Sequence, residues 1–468
     1  MQILYFADIR FPLERANGIQ TFRTCHALAR RGHQVRLVVR PDTAVTARDP
    51  FDFYGEARTP DLVIDEVPVA GPPAVRRAVW LARAVRRAVR GRFAGIALTR
   101  DLGLASLLVR LPRAVRPPVV YESHGFAPAV GGALDELLAT GRRASESKQA
   151  RLACREARVW KRAEGYVTIT RTLAEELAGR FGGRASIAAI PDGVHLPAGA
   201  TVPAIVRHHP PVVGYAGQLY PWKGVDVLLD AIARLDTVRA VVVGGLTGEP
   251  DLERTRAHAR GLNIDDRVTF VGAVPPAAVA SRLADMDVLV LPNTATHISA
   301  HYTSPLKLFE YMAAGRPIVA SNLPALREVL KDGENALLVE PGSAGQMADA
   351  IRRLLHDTAL AARLAAAAWR DVEAYSWDRR AARLEEVFEA AAGVQPPSQP
   401  VGAAPAGHGG PRHSRARRSG AGRRGPASEG AEWGVGAPRA TEPGGVQGSP
   451  PTKNEELGGV QGSPPFKK

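Results

Sequence analysis

The chain has 468 residues, 45% of them hydrophobic, which is too long for one ordinary core and fits two domains with extensions. Lysine and arginine number 61 against 47 aspartates and glutamates, a formal charge of +14; such a surface favours phosphates, acidic lipid or nucleic acid, unless the Arg- and Ala-rich composition only reflects biased codons. Two cysteines, Cys25 and Cys154, exclude a disulfide framework and a cysteine-rich metal site, and fit a reducing cytoplasm.

The N-terminus reads MQILYF before Ala7 and Asp8. It lacks the basic start, apolar run and small-residue cleavage site of a signal peptide. No window of eighteen apolar residues predicts a membrane-spanning helix.

In chain order, Ile3 to Phe6 is a strand-like run. Gly18 to Arg31 has apolar residues at helical spacing (Ile19, Phe22, Cys25, Leu28), and Val35 to Val39 is a second strand after Gly32. Strand expectations follow at Leu62–Ile64, Ile96–Leu98, Val119–Tyr121, Tyr166–Ile169 and Ile187–Ile190. The Pro- and His-rich stretch from Val202 to Pro211 breaks any element. A second series then starts, with strands expected at Val212–Ala216, Val238–Val243, Arg267–Val271, Val288–Leu291, Ile318–Ala320 and Leu337–Val339. Alternating strands and helices predict an α/β chain of two Rossmann-like, doubly wound domains facing an interdomain cleft. The boundaries expected are 1–200 and 212–375, a linker at 201–211, a C-terminal helix at 376–392 returning to the first domain, and a tail at 393–468. In that tail Gly, Pro, Ser, Ala and Arg dominate, and GGVQGSPP occurs at 444–451 and again at 458–465. Such a composition predicts disorder, as a basic tether or as repetitive read-through.

Four strings carry candidate chemistry. Asn17-Gly18-Ile19 lies between the first strand and first helix, where a glycine lets backbone approach a phosphate near helix-end amides; a plain turn glycine reads the same way. His124, in YESHG, follows a strand directly and would project from the C-terminal edge of the sheet, as a substrate contact or as a capping or core histidine. In VGYAGQLYPWKGV, Lys223 stands at an expected helix start, where it can reach a diphosphate and neutralise leaving-group charge. In SPLKLFEYMAAGRPIVAS, Glu310 on an expected helix can accept two hydrogen bonds from a ribose diol, or else be exposed or paired with Lys307. Ser304 is the expected N-cap of that helix, beside amides that suit an anion.

Taken in order, these strings resemble the retaining glycosyltransferases of the GT-B fold, family four, over roughly residues 1–392. The resemblance is strongest from Gly214 to Pro341, through the Gly217…Lys223-Gly224 loop, Val242-Val243-Gly244-Gly245, Phe270-Val271-Gly272 and Glu310-Tyr311-Met312-Ala313. It implies a nucleotide-sugar donor, often UDP- or GDP-linked, a glycan or lipid-linked acceptor, no cofactor and no catalytic metal. It implies catalytic roles for His124, Lys223 and Glu310. The donor would be bound by Gly18, Gly217, Gln218, Lys223, Gly245, Val274, Ser304, Pro305, Leu306, Lys307 and Glu310. Two positions depart from the family pattern. Gln218 stands where an arginine is common, and Tyr302 where a glutamate is common; Lys307 or amides at Ser304–Leu306 are the expected substitutes. A non-catalytic partner in glycan assembly, or a nucleotide-sugar epimerase on the same fold, are the alternatives.

Pro73 to Arg92 would form a basic helix. Arg76, Arg83, Arg87 and Arg90 make one stripe; Ala78, Ala82, Val85 and Val89 make another face. It reads either as a peripheral contact with an acidic membrane, which family members with lipid-linked acceptors support, or as a sheet-covering helix with a solvated face. Without interleaved aromatics it predicts no nucleic-acid partner. The expected location is cytoplasmic, at the inner membrane face on the first reading.

Overall fold

The computed structural model describes residues 1–43, 48–90, 95–137, 145–196, 199, 201–205, 207–246 and 248–393. The expectation of disorder beyond Gly393 lies outside the described residues. Seven strands form the first sheet: β1 Gln2–Arg10, β2 Gln34–Arg40, β3 Leu62–Glu66, β4 Ile96–Thr99, β5 Val119–Ser123, β6 Gly165–Thr168 and β7 Ile187–Ala189. Six form the second: β8 Val212–Ala216, β9 Arg239–Val243, β10 Val268–Gly272, β11 Val288–Leu291, β12 Ile318–Ser321 and β13 Leu337–Val339.

The strand orders are β3-β2-β1-β4-β5-β6-β7 and β10-β9-β8-β11-β12-β13. Neighbours run parallel throughout, with Phe6 level with Thr99 and Ala216 level with Val243. Each sheet therefore reverses its winding once, between β1 and β4 and between β8 and β11, and open α/β sheets bind ligands at such points. The apolar runs form strands because both faces of each sheet are covered. Ile3 and Tyr5 join the core around Phe22, while Leu4 and Phe6 join the one around Trp80. Val213 and Tyr215 likewise face away from Val212 and Ala216.

The last helix, Trp377–Ala392, packs on helix Ala16–Arg30 and on β4, β5 and β6. Its buried stripe is Trp377, Arg380, Ala381, Leu384 and Phe388, a helical period facing the first sheet. Arg31 forks onto Glu385 at 2.6 Å through both nitrogens. Ser376 caps the helix, its Oγ accepting from the Arg379 N–H at 3.2 Å. The lobes also touch directly: Arg15 pairs with Glu249 at 3.3 Å, and the Tyr302 hydroxyl donates to Glu176 at 2.8 Å.

Helix Pro73–Arg90 buries Trp80, Ala84 and Ala88 against the first sheet. The face made by Ala78, Ala82, Val85 and Val89 does not cover that sheet; it lines an open apolar trough with Leu107 and Leu111. The arginine stripe is partly engaged, because Arg87 forks onto Asp65 at 2.9 and 3.0 Å. Among the described residues no helix is long and apolar enough to cross a membrane.

Candidate active site

The loops that leave β8, β9 and β10 at their C-terminal ends meet helix Leu306–Ala313 around one cavity of about 410 Å³. From the second lobe it is lined by Gly217, Gln218, Lys223, Gly244, Gly245, Val274, Pro305, Leu306, Lys307 and Glu310. The first lobe adds Glu14, Arg15, Ala16, Ile19 and Phe53. The cavity is therefore a cleft between lobes.

Glycines bring the loops together. Gly217 has φ +137° and Gly244 φ +136°, a region that favours glycine. The Gly217 N–H donates to the Val243 carbonyl and the Gly244 N–H to the Gly272 carbonyl, each at 2.8 Å. A Cβ on Gly244 would collide with the Gly217 carbonyl oxygen, and one on Gly217 would lie 2.9 Å from the Lys307 ammonium.

Two ammonium groups face this space. Lys223 ends the short turn Pro221–Lys223, with Gly224 (φ +72°) before helix Val225–Ile232, so it precedes the helix rather than opening it. Its Nζ rests 3.7 Å above the Trp222 ring, and burial pushes its pKa down to about 7. Lys307 is buried, with Nζ 3.7 Å above the Tyr215 ring. That nitrogen has no hydrogen-bond partner. Burial first, and then the like charge of Lys223, hold it well below the usual lysine range. Glu310 makes no ion pair with Lys307 among the described residues. Burial raises its carboxyl to about 7, against the pull of Lys307 and of Arg23 from the first lobe. Buried polar groups are normally satisfied; unpartnered, same-sign groups aimed at one cleft mark a place for an anion.

The other expected site residues lie elsewhere. Gly18 sits in the first turn of helix Ala16–Arg30 and does not line the cavity. A Cβ there would lie 2.7 Å from the Leu13 Cβ and 2.8 Å from the Tyr54 hydroxyl, so close packing already explains this glycine. Ser304 is not the N-cap of its helix. Pro305 occupies the cap without a side-chain bond, and the Ser304 Oγ accepts from the Asp192 N–H at 3.0 Å. Ser304 faces a separate cavity with Thr170 and Arg383. His124 follows β5 as expected, is about a quarter exposed, and lies outside the lining of the interlobe cavity. Its Nε2 bonds the buried Glu122 at 2.6 Å.

The two departures also have places. Gln218 lines the cavity, and its side-chain oxygen is buried without a partner. Tyr302 has turned to the first lobe, where it packs on Gly125 and reaches Glu176. Nothing in the sequence singled out Arg380, whose guanidinium lies 2.8 Å from Glu122. Glu122 was not singled out either; its place at the end of β5, two residues before His124, is the signal that could have found it.

Comparison with known proteins agrees with this architecture. The family described as glycosyl transferases group 1 matches residues 210–357, and that described as glycosyl transferase 4-like domain matches residues 18–193. A phosphatidyl-myo-inositol mannosyltransferase of Mycobacterium leprae is 34% identical over 212 residues, 43% of this chain and 53% of that one. A D-inositol 3-phosphate glycosyltransferase of Xylanimonas cellulosilytica is 32% identical over 261 residues, 52% of this chain and 60% of that one. The chain thus spans little more than half the length of these curated relatives. Among solved structures, a sucrose-phosphate synthase from Thermosynechococcus elongatus superposes with a TM-score of 0.65 at 20% identity, covering 83% of this chain and 98% of that one. Anabaena HepE in complex with UDP-glucose gives 0.61 at 18% identity, covering 83% and 99%. At such identities these two show the fold alone. Two family matches in chain order, one on each lobe, place the chain among the glycosyl transferases of group 1, built on the GT-B fold.

Proposed function

We propose that the chain transfers a sugar from a nucleotide-diphosphate-sugar to a hydroxyl of a glycan or lipid-linked acceptor, with retention at the anomeric carbon and without a metal. The observation that carries this reading is the convergence of Lys223, Lys307 and Glu310 on one interlobe cavity. The two ammonium groups take the diphosphate; the carboxylate takes the ribose diol. The second lobe is the donor side, and the first lobe, with His124 at its sheet edge, is the acceptor side.

In the transfer step the acceptor oxygen attacks the anomeric carbon on the face the diphosphate leaves. The bond from that carbon to the phosphate oxygen breaks as the new glycosidic bond forms. The acceptor proton passes to the departing phosphate oxygen. Lys223 and Lys307 stabilise the negative charge that grows there, in a place shielded from bulk water.

A panel of sugar nucleotides tests the donor class. UDP-sugars come first, because the HepE neighbour is described with UDP-glucose. A true donor at a hundred times its Kd stabilises the folded chain by about 2.7 kcal/mol, read as a rise in melting temperature. Release of the nucleoside diphosphate should require an acceptor, and inositol-bearing acceptors enter the panel on the strength of the two relatives' names. Release without an acceptor favours the epimerase alternative; no stabilisation by any sugar nucleotide favours a non-catalytic partner.

The open trough on helix Pro73–Arg90 supports a peripheral membrane contact as part of the same reading. Its apolar floor lies beside the exposed Arg83, Arg86 and Arg90, a pairing that suits an anionic bilayer surface. The chain is expected to float with vesicles rich in phosphatidylglycerol and not with phosphatidylcholine alone. Val85→Glu with Val89→Glu should abolish flotation and leave transfer to a water-soluble acceptor unchanged. Equal flotation with both vesicle types, or an unaffected double variant, rules the contact out.

A further inference from the structure

Away from the donor cavity, one carboxylate in the first lobe is approached from three sides. Glu122 on β5 has a fully buried side chain; its Oε1 accepts from Gln20 Nε2 at 2.7 Å, shares a hydrogen bond with His124 Nε2 at 2.6 Å, and forms an ion pair with Arg380 Nη2 at 2.8 Å. Gln20 is held in turn by Arg100, which donates to its Oε1 at 2.6 Å. Arg380 arrives from the last helix. Its Nη1 donates to the Ile190 and Pro191 carbonyls, each at 2.7 Å, and its Nε to Thr24 Oγ1 at 3.3 Å. The guanidinium therefore has one position, fixed by three separate chain segments. The backbone after His124 is fixed as well. Gly125 has φ +148°, and a Cβ there would lie 2.6 Å from Val130 and 2.8 Å from Tyr302.

We propose that Glu122 and Arg380 are positioning residues for sugar transfer: they hold His124 as the Nε2–H tautomer, which leaves Nδ1 as the ring's acceptor for a hydroxyl of the transferred sugar. The inference rests on the transfer reading above. An ionised carboxylate only accepts, so the ring nitrogen facing it must carry the proton. Burial pushes the Glu122 carboxyl up, but Arg380 and the His124 hydrogen bond outweigh it and hold the group well below the usual carboxylate range. The ring stays neutral. Burial and then the Arg100 charge push its pKa down to about 4, against Glu122, with Arg380 acting in the same downward direction. A neutral ring with its one proton on Nε2 has a bare Nδ1. Remove Arg380, and Glu122 loses the largest charge that favours its ionised form, with only the weaker pull of Arg100 left among the fixed cations. It would then take a proton, donate to Nε2, and move the ring proton to Nδ1. The last helix thus contributes a group that sets the hydrogen-bonding sense of a residue at the C-terminal edge of the first sheet.

The experiment is long-range proton–nitrogen NMR on the full chain carrying nitrogen-15 histidine, with the His124 signals identified by their loss in His124→Gln. The wild type should show a protonated Nε2 and a bare Nδ1. Glu122→Gln, which is isosteric and keeps hydrogen-bonding capacity, should give mixed tautomers and a kcat about ten- to a hundred-fold lower at an unchanged donor KM. Arg380→Met should move the ring towards Nδ1–H, and Arg380→Lys should restore part of the wild-type pattern. If Arg380→Met does not fold, Glu122→Gln alone decides. A wild-type ring protonated on Nδ1, or Glu122→Gln with wild-type tautomer and kcat, overturns the proposal. The tautomer is read without donor and nucleotide release with it, so failure of this inference and failure of the transfer reading appear in different signals.

Discussion

Lys223→Ala is expected to lower kcat/KM for the donor by about 100- to 1,000-fold, the usual cost of removing one stabilising group from a developing oxyanion, with the melting temperature unchanged. Lys223 and Lys307 lie close enough for the charge of one to depress the pKa of the other, and both are pressed further down by burial. Neither ammonium makes an ion pair among the described residues. Holding them there disfavours the empty protein, and a diphosphate reverses the sign of that effect. Lys307→Met keeps the bulk of the side chain and removes its charge, and it should cost a similar factor. The two losses should not be independent. Deleting one lysine relieves the like-charge repulsion on the other, which then stays protonated to higher pH and partly compensates. The double variant should therefore lose more than the product of the two single losses, a coupling that double-mutant kinetics measure directly. Glu310→Ala removes two hydrogen bonds to a charged acceptor, and each is worth about 1.5–3 kcal/mol; most turnover should go with it. Wild-type rates in Lys223→Ala and Glu310→Ala, in proteins that still melt normally, would contradict the site.

Why the lining of the interlobe cavity was legible and the cluster around Glu122 was not follows from the chain's geometry. Gly217, Lys223 and Gly245 lie on loops that directly follow strands of one sheet, and Lys307 and Glu310 lie on the helix that precedes β12. Each strand carries its own apolar signal, and each loop its own glycine. The winding order then brings their ends to one edge. Arg380 and Glu122 share no such local logic. One is an arginine on an amphipathic helix, which in sequence reads as a solvated face; only the docking of that helix on the first lobe buries it. Ser304 shows the reverse error. A serine before a helix predicts a cap, but here an N–H from the segment after β7 takes the hydroxyl, a competition invisible without tertiary contacts. Gly18 was read for phosphate because the first βα turn is where phosphates bind; the packing of Leu13 and Tyr54 around it has no sequence signature. For helix Pro73–Arg90, periodicity found an apolar stripe and missed which apolar residues face the sheet. Trp80, with the small Ala84 and Ala88 beneath it, wins that contact because the large ring fills the gap over β1.

The pH dependence of donor capture should be a narrow bell centred near pH 7, because the two working groups titrate there in opposite senses. Glu310 acts as an acceptor only when ionised. Its carboxyl is raised to about 7, so kcat/KM should fall as pH drops below 7. Lys223 acts only when charged. Its ammonium is lowered to about 7, so kcat/KM should also fall as pH rises above 7. On each flank the slope approaches about tenfold per pH unit for a single group. The donor's phosphates are esterified on both sides and stay fully ionised throughout, so the limbs belong to the protein. Each limb can be removed separately. In Lys223→Arg the cation survives at every accessible pH, so the share of the alkaline limb due to Lys223 should disappear and the share due to Lys307 should remain. In Glu310→Gln no carboxylate is left to protonate, so the acid limb should flatten at a lower plateau. Donor binding must also restore protons that the empty cleft has lost. Calorimetry at pH 8 in two buffers of different ionisation enthalpy should register net uptake of about one to two protons per donor, since Lys223 and Lys307 both enter the complex charged. Uptake of none, or a profile that neither variant alters, would mean that the lysines and the carboxylate do not meet the donor, however well the lobes that carry them are folded.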